Sequence, residues 1–293
     1  LAKILAIGIA TLDIINHVAS YPSEDDEVRA ISQTCSRGGN ATNTLAILSQ
    51  LKHQSFWAGS LANETNTKII LDDLDSYQID YSYVDFLANG KIPTSYITLN
   101  EQNASRTIVH YRDLPEYNYD SFKKIQLGAF DWIHFEGRNI EQVEKMLARC
   151  KQSYPHIPIS LEVEKKRPNI SALFSYADVL MFSKSYAQTT EADSATKFLQ
   201  QLPHALKAKT ITCTWGEKGA ALLSQGSLFQ SPAFLQAQNI NTLAAGDTFN
   251  AAIIDNLLTQ RDAQTTLSNA CRLAAQKCAA EQLDFLASRQ PYS

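Results

Sequence analysis

Long apolar runs are missing from this 293-residue chain; the longest, ILAIGIA at residues 4–10, is far too short to cross a bilayer. It also lacks the charged flank and small-residue cleavage site of a secretion signal. Cysteine is scarce and odd in number: Cys35, Cys150, Cys213, Cys271 and Cys278 are widely scattered. That excludes a disulfide framework and points to free thiols in a reducing cytoplasm. No C-x-x-C pair occurs and the six histidines are dispersed, so a zinc site is excluded. Nor is there a block of basic residues. With 26 Lys and Arg against 30 Asp and Glu the net charge is −4, a poor match for nucleic acid or an anionic membrane surface. Repeats, low-complexity tracts and linkers are absent as well.

What is present suits one large domain with a small appendage: 44% of residues are hydrophobic and 19% charged, ample for a deep core. KILAIGIATLDII reads as one buried strand of a parallel sheet. ATNTLAILSQLK and NTKIILDDLDSYQ carry helical spacing around the short strand FWAGSLA. DWIHFEG, PISLEV, ADVLMFS and KTITCTW are compact apolar runs separated by helical stretches such as NIEQVEKMLARC and ADSATKFLQQLPHAL. Strands alternating with helices predict a mostly parallel central sheet covered on both faces. From Thr248 to about residue 287 the pattern is mostly helical. TSYITL and RTIVHY instead alternate apolar and polar residues across NEQNAS, a hairpin pattern. The reading is an α/β core from residues 1–13, 38–83 and 114–293, with a small β-sheet lid from 14–37 and 84–113.

Two stretches could carry chemistry. In NTLAAGDTFNAAIID (residues 241–255) the small residues Ala244, Ala245 and Gly246 let a ligand approach the backbone. The helix predicted to start there presents unpaired N–H groups and a partial positive charge. Asp247 then stands beside an anion site, either as a base for an attacking hydroxyl or as a plain helix cap. Composition alone favours the cap. RGGNATN (residues 37–43) poses a similar choice. Gly39 permits unusual backbone angles, and Asn40 and Asn43 can turn their amides one way to meet a polyhydroxylated ligand. A glycine turn with an asparagine cap explains the stretch equally well. Asp13, inside an apolar strand run, needs a partner or a polar cavity, and the C-terminal end of a parallel strand is where ligands bind in open α/β sheets. Asp25 in EDDE and Arg106 on the second hairpin strand read as solvated residues in isolation. Trp215-Gly216-Glu217-Lys218-Gly219-Ala220 is a tight turn or a nucleotide edge.

Taken together, Gly38-Gly39-Asn40 and Asn241-Thr242-Leu243-Ala244-Ala245-Gly246-Asp247 resemble the two signature segments of the ribokinase/PfkB family of sugar kinases, in the same order. The pairing is much more specific than either segment alone. The likeness runs over nearly the whole chain and is strongest toward ketose-phosphorylating members, through YPSEDDEVRAISQ, RGGNATN, SRTIVHY, WIHFEGRN, LEVEKKR and FSKSYA. The resemblance implies a ribokinase-like core of nine strands with a β lid, and ATP-dependent phosphorylation of a ketose, with fructose to fructose 1-phosphate the first candidate. It makes Asp247 the general base and the N–H groups of Ala244, Ala245 and Gly246 the anion hole. It places Asp13, Asp25, Gly39, Asn40 and Asn43 on the sugar hydroxyls, and Arg106 near the sugar and the transferring phosphate. Trp215, Glu217, Gly219, Phe234 and Cys278 match positions around the nucleotide. ATP and Mg²⁺ are the implied cofactors, and a homodimer clasped through the lids is the implied assembly.

The chain departs from the family at several points. Ser183-Lys184-Ser185-Tyr186 stands where many members carry N-x-x-E, which helps organise Mg²⁺. Asn241 replaces an aspartate beside a monovalent-cation site, which puts K⁺ dependence in question. Ala244 replaces a common glycine, and AAEQLDF after Cys278 is bulkier than the usual glycine-rich segment. The alternatives left standing are a kinase for another sugar such as ribose, and a sugar or nucleotide sensor that has lost catalysis.

Overall fold

The computed structural model describes residues 1–103, 105–203, 206–234 and 241–286. Residue 104 in the predicted hairpin loop, 204–205 at the end of ADSATKFLQQLPHAL, and the tail beyond 286 lie outside them. In chain order the strands are β1 (Lys3–Ile7), β2 (Thr11–Val18), β3 (Ser32–Gly38), β4 (Gln54–Ala58), β5 (Ser60–Ala62), β6 (Asp85–Leu87), β7 (Thr94–Asn100) and β8 (Arg106–Tyr111). There follow β9 (Trp132–Glu136), β10 (Ile159–Val163), β11 (Val179–Phe182), β12 (Thr210–Thr214), β13 (Ala220–Ser224) and β14 (Ser227–Ser231). The α-helices are α1 (Asn40–Gln50), α2 (Thr67–Ser76), α3 (Tyr119–Phe122), α4 (Ile140–Ser153), α5 (Lys184–Gln188), α6 (Ala195–Gln201), α7 (Ala245–Leu258) and α8 (Ala263–Cys278).

The large sheet runs β14-β13-β12-β11-β10-β9-β1-β4. Its six strands from β12 to β4 are parallel, and β13 and β14 complete one edge antiparallel. Along β1 the pleat sends Leu5 and Ile7 into one core and Ile4 and Ala6 into another, because successive side chains alternate across a strand. The first core is closed by Met146 and Leu147 of α4 and Phe198 and Leu199 of α6. The second is closed by Leu45 and Leu48 of α1, Ile253 and Ile254 of α7, and Leu267 of α8. A sheet buried on both faces explains why these strands read as continuous apolar runs.

The resemblance implies nine strands, and the described residues form eight in this sheet. Beyond β4 only Asp80 pairs, as an isolated bridge to Phe56. Past Gly59 the chain turns into a separate two-stranded ribbon of β5 and β6.

The opening apolar run is not one strand. It breaks at residues 8–10, leaving β1 in the large sheet, while β2 joins a second sheet ordered β3-β2-β7-β8. Gly8 marks the break, since a Cβ there would lie 2.4 Å from Glu136 Oε2. Asp13 therefore sits in the small sheet, not at the end of a core strand. Within that sheet β2 pairs antiparallel with β3 and parallel with β7, and β7 pairs antiparallel with β8. No helix among the described residues is long and apolar enough to cross a membrane.

Candidate active site

The helices α1 and α7 bring the two signature segments together. Gly39 caps α1 with φ 108°, and a Cβ there would lie 2.2 Å from the Ile9 carbonyl, so only glycine fits. Helix α7 begins after Ala244, which holds φ 57° and lends no side chain to the cap. The cap reading of Asp247 is thereby set aside: this aspartate is in the first turn, and its Oδ2 accepts a 2.8 Å hydrogen bond from Asn43 Nδ2. Thr44 Oγ1 donates to its carbonyl at 3.4 Å.

Ala245, Gly246 and Asp247 open the helix, where backbone N–H groups lack intrahelical acceptors. The N–H of Ala245 donates to the Thr242 carbonyl at 3.3 Å. Gly246 is exposed, and a Cβ on it would meet nothing within 4 Å. From the small sheet, Arg106 Nη1 donates to Thr242 Oγ1 at 3.0 Å. One residue of β8 thus reaches the turn before α7.

Asp247 is buried, and burial raises its carboxyl to about 7; the Asn43 hydrogen bond and the Arg37 charge pull it down, while Glu164 and Glu136 push it up. Glu162 is buried too and is shifted well upward by burial first, then by Asp247, Glu136 and Glu164. Asn40 Nδ2 donates to Glu162 Oε1 at 3.1 Å and to Glu164 Oε2 at 3.3 Å. The other Glu162 oxygen, Oε2, is buried without a hydrogen-bond partner. Glu136 Oε2 accepts from the Ile9 N–H at 2.9 Å. Asp13 accepts from Thr11 Oγ1 at 2.8 Å, and burial raises its carboxyl as well. Gly38 makes room for it, since a Cβ there would lie 2.1 Å from Asp13 Oδ2.

Asp13, Gly39, Asn40, Asn43, Ala244, Ala245, Gly246, Asp247 and Arg106 are accordingly linked by short contacts or shared elements. Asp25 is not. It is exposed in the loop between β2 and β3 with φ 63°, and among the described residues no hydrogen bond or ion pair joins it to the others. The remaining predicted residues lie on the 215–219 turn, at Phe234 after β14 and at Cys278 at the end of α8. The Trp215 ring is buried in the first core with the Lys184 ammonium 5.9 Å from its centre, so its indole face is taken up by packing. Glu217 is exposed. Gly219 holds φ 88° where a Cβ would lie 2.0 Å from the Ser231 carbonyl. The Arg272 guanidinium lies 4.0 Å from the centre of the Phe234 ring. Cys278 ends α8, and its carbonyl accepts from Asn241 N at 2.8 Å.

Sequence reasoning overlooked Arg37, Glu136, Glu162 and Glu164. The signal used for Asp13, an acid inside an apolar strand run, was equally present in DWIHFEG and PISLEV.

The chain matches the pfkB family carbohydrate kinase model over residues 1–287. It is 38% identical to a ketohexokinase of Mus musculus, covering 96% of this chain and 98% of that one. A fructosamine kinase, FrlD, of Bacillus subtilis (strain 168) is 24% identical over 82% of this chain and 83% of its own. In fold, it superposes on an Arabidopsis thaliana ribokinase complexed with ribose and ATP with a TM-score of 0.81 at 19% identity, covering 97% of this chain and 95% of that one. A ribokinase-like α/β fold, two signature segments joined at one buried carboxylate, and a family match along almost the whole chain converge: the protein belongs to the pfkB family of carbohydrate kinases.

Proposed function

We propose that this sugar kinase transfers the γ-phosphoryl group of ATP to a hydroxyl of a ketose, with fructose to fructose 1-phosphate as the first candidate. The observation that carries the reading is the Asn43–Asp247 hydrogen bond, which sets a desolvated carboxylate at the N-terminus of α7. Asp247 takes the proton of the attacking hydroxyl, the new O–P bond forms, the bond from Pγ to the bridging oxygen breaks, and ADP leaves. The N–H groups of Ala244 and Gly246, with that of Ala245 once released from the Thr242 carbonyl, receive the charge on the transferring phosphoryl group. Asp13, Asn40 and Asn43 offer acceptors and donors to the sugar hydroxyls. Asp25 is assigned to the sugar with no contact supporting it. Arg106 supplies a cation from the small sheet. The backbone of the 215–219 turn, Glu217, Phe234 and Cys278 flank the nucleotide.

Mg²⁺ fits the acids present. Among the described residues no group of three or more His, Cys, Asp or Glu could cage a metal, but Mg²⁺ in such sites needs only one or two carboxylates besides phosphate and water. The unpartnered Glu162 Oε2 and the neighbouring Glu164 supply these. When bound, the ion would shield the phosphate charges. For K⁺ the chain offers an uncharged amide in place of the usual aspartate: Asn241 Nδ2 donates to the Glu281 carbonyl at 3.0 Å and its Oδ1 accepts from Leu243 N at 3.1 Å, so K⁺ dependence is in question.

The homodimer reading rests on exposed apolar residues on one face of the β7–β8 hairpin: Tyr96 is 50%, Val109 66% and Tyr111 49% exposed, a patch that a second copy would cover.

The test is ADP release from ATP and Mg²⁺ with fructose, other ketoses, ribose and nucleosides in parallel, Asp247→Asn serving as control. Fructose-dependent turnover that the substitution abolishes supports the ketose kinase. Turnover with ribose alone moves the substrate. Thermal stabilisation by sugar and nucleotide without turnover would instead favour the sensor reading that Asn241 and the missing N-x-x-E motivate.

A further inference from the structure

Arg37 is buried at the end of β3, and none of its contacts is explained by substrate binding. Its Nε donates to Asp73 of α2, its guanidinium carbon lies 5.9 Å from the centre of the Tyr77 ring, and its Nη1 donates to Thr42 Oγ1 at 2.8 Å and to Asn43 Oδ1 at 2.9 Å. The chemistry of that last bond is directional. An arginine side chain only donates, so the Asn43 amide must turn its oxygen toward Arg37. Its nitrogen is then the end left facing Asp247, 2.8 Å from Oδ2. With the amide reversed, its oxygen would face the carboxylate and its N–H₂ the guanidinium, two repulsive contacts in a desolvated place.

We propose that Arg37 is the positioning residue for the reaction: anchored by Asp73, it fixes the orientation of the Asn43 amide and through it the carboxylate of Asp247. Asp73–Arg37–Asn43–Asp247 is a relay from α2 through β3 and α1 to α7, crossing four elements by side-chain hydrogen bonds alone. Thr42 steadies the middle, since its hydroxyl accepts from Arg37 while donating to the Gly38 carbonyl at 3.0 Å. The role is indirect, for Arg37 touches neither Asp247 nor the site of transfer. The inference rests on Asp247 being the base.

The experiment is a double-mutant cycle on the full chain, measuring kcat, KM for ATP and melting temperature for Arg37→Met, Asn43→Ala and the pair, with Asp247→Asn as reference. Arg37→Met should lower kcat by about 10- to 100-fold, the worth of one or two charge-assisted hydrogen bonds, and leave KM for ATP unchanged. In the Asn43→Ala background the same change should cost little further, because the relay is already cut. Arg37→Lys keeps the buried charge and should recover part of the loss. It also serves where Arg37→Met fails to fold, as does Asp73→Asn, which frees the anchor and should lower kcat in the same direction. Equal losses from Arg37→Met with and without Asn43 would overturn the relay, as would an unchanged kcat. If Asp247→Asn keeps full turnover, the reading of Asp247 fails instead, and the cycle separates the two outcomes.

Discussion

Asn43 Nδ2 and Asp247 Oδ2 lie 2.8 Å apart although 204 positions separate the two residues in the chain. This contact joins the first turns of α1 and α7, and it leaves Asp247 inside the protein rather than on the helix surface. A buried carboxylate held by one amide is costly when charged, and several expectations come from that cost.

Asp247→Asn should lower turnover about 10²- to 10⁴-fold while making the fold more stable above neutral pH. The carboxyl is raised from 3.8 to about 7 by burial, so the folded state holds a proton that the unfolded chain gives up. Stability of the native protein therefore falls as pH climbs from about 4 to 7 and is flat beyond. The asparagine variant lacks that penalty. Melting temperatures at pH 4.5 and pH 8 should differ less in the variant, with a gain on the order of a few degrees at pH 8.

Turnover itself should climb with pH through the same range, since only the ionised Asp247 can accept a proton. The acidic limb of kcat/KM against pH is expected near 7 in the free enzyme. Glu164 and Glu136, whose charges push Asp247 up, should broaden the limb. In Glu136→Gln the limb should move to lower pH, which a pH series of initial rates would read directly.

Two glycines of the site should answer alanine in opposite ways. Gly39→Ala meets both a φ of 108° and a carbonyl 2.2 Å away, and should cost about 1–3 kcal/mol of stability together with most activity. Gly246→Ala meets nothing within 4 Å inside a helix turn. It should raise the melting point slightly, by up to about 0.5–1 kcal/mol of stability, yet weaken catalysis because the methyl group stands where the phosphoryl group must approach. Stability and activity measured side by side would show the split.

Turnover should be indifferent to exchanging K⁺ for tetramethylammonium at constant ionic strength. The Asn241 amide is bonded at both ends and brings no charge. A several-fold fall on removing K⁺ would contradict this.

Val109, 66% exposed on β8, should tolerate glutamate as a fold element but not as an interface residue. Light scattering of Val109→Glu is expected to give a monomer mass where the unaltered protein gives twice that mass. A monomer in both would remove the clasp.

Much of the core was legible because a strand buried on both faces leaves an unmistakable apolar run: DWIHFEG, PISLEV, ADVLMFS and KTITCTW all became neighbours in one sheet. KILAIGIATLDII misled for the same reason. Its hydrophobicity is continuous across residues 8–10, while the division between the two sheets falls at Gly8, where the Glu136 and Ala41 side chains leave no room for a Cβ, which no periodicity registers. Asp247 could be read two ways from Gly-Asp before a helix, and only the distance to Asn43 separates them. Trp215 reads in the sequence as part of a tight turn or a nucleotide edge; the turn is there, and the ring packs in the core. Arg37 stands within RGGNATN with no task legible in the sequence, because what it does depends on Asp73, which comes from a different helix.

The small sheet has a consequence for how this chain folds. Its central pairing sets Leu12 beside Thr94, and β3 and β8 hang on the two strands so joined. Neither excursion contains the sheet by itself. Closing the long loop between them costs chain entropy before any pairing is gained, and such non-local strand contacts form slowly. The β2–β3 and β7–β8 pairings are local hairpins, and the β2–β7 pairing that joins them is the slow, non-local step expected for this sheet. Asp13 and Arg106 stand on different hairpins of it, so bringing both to one site depends on that single pairing.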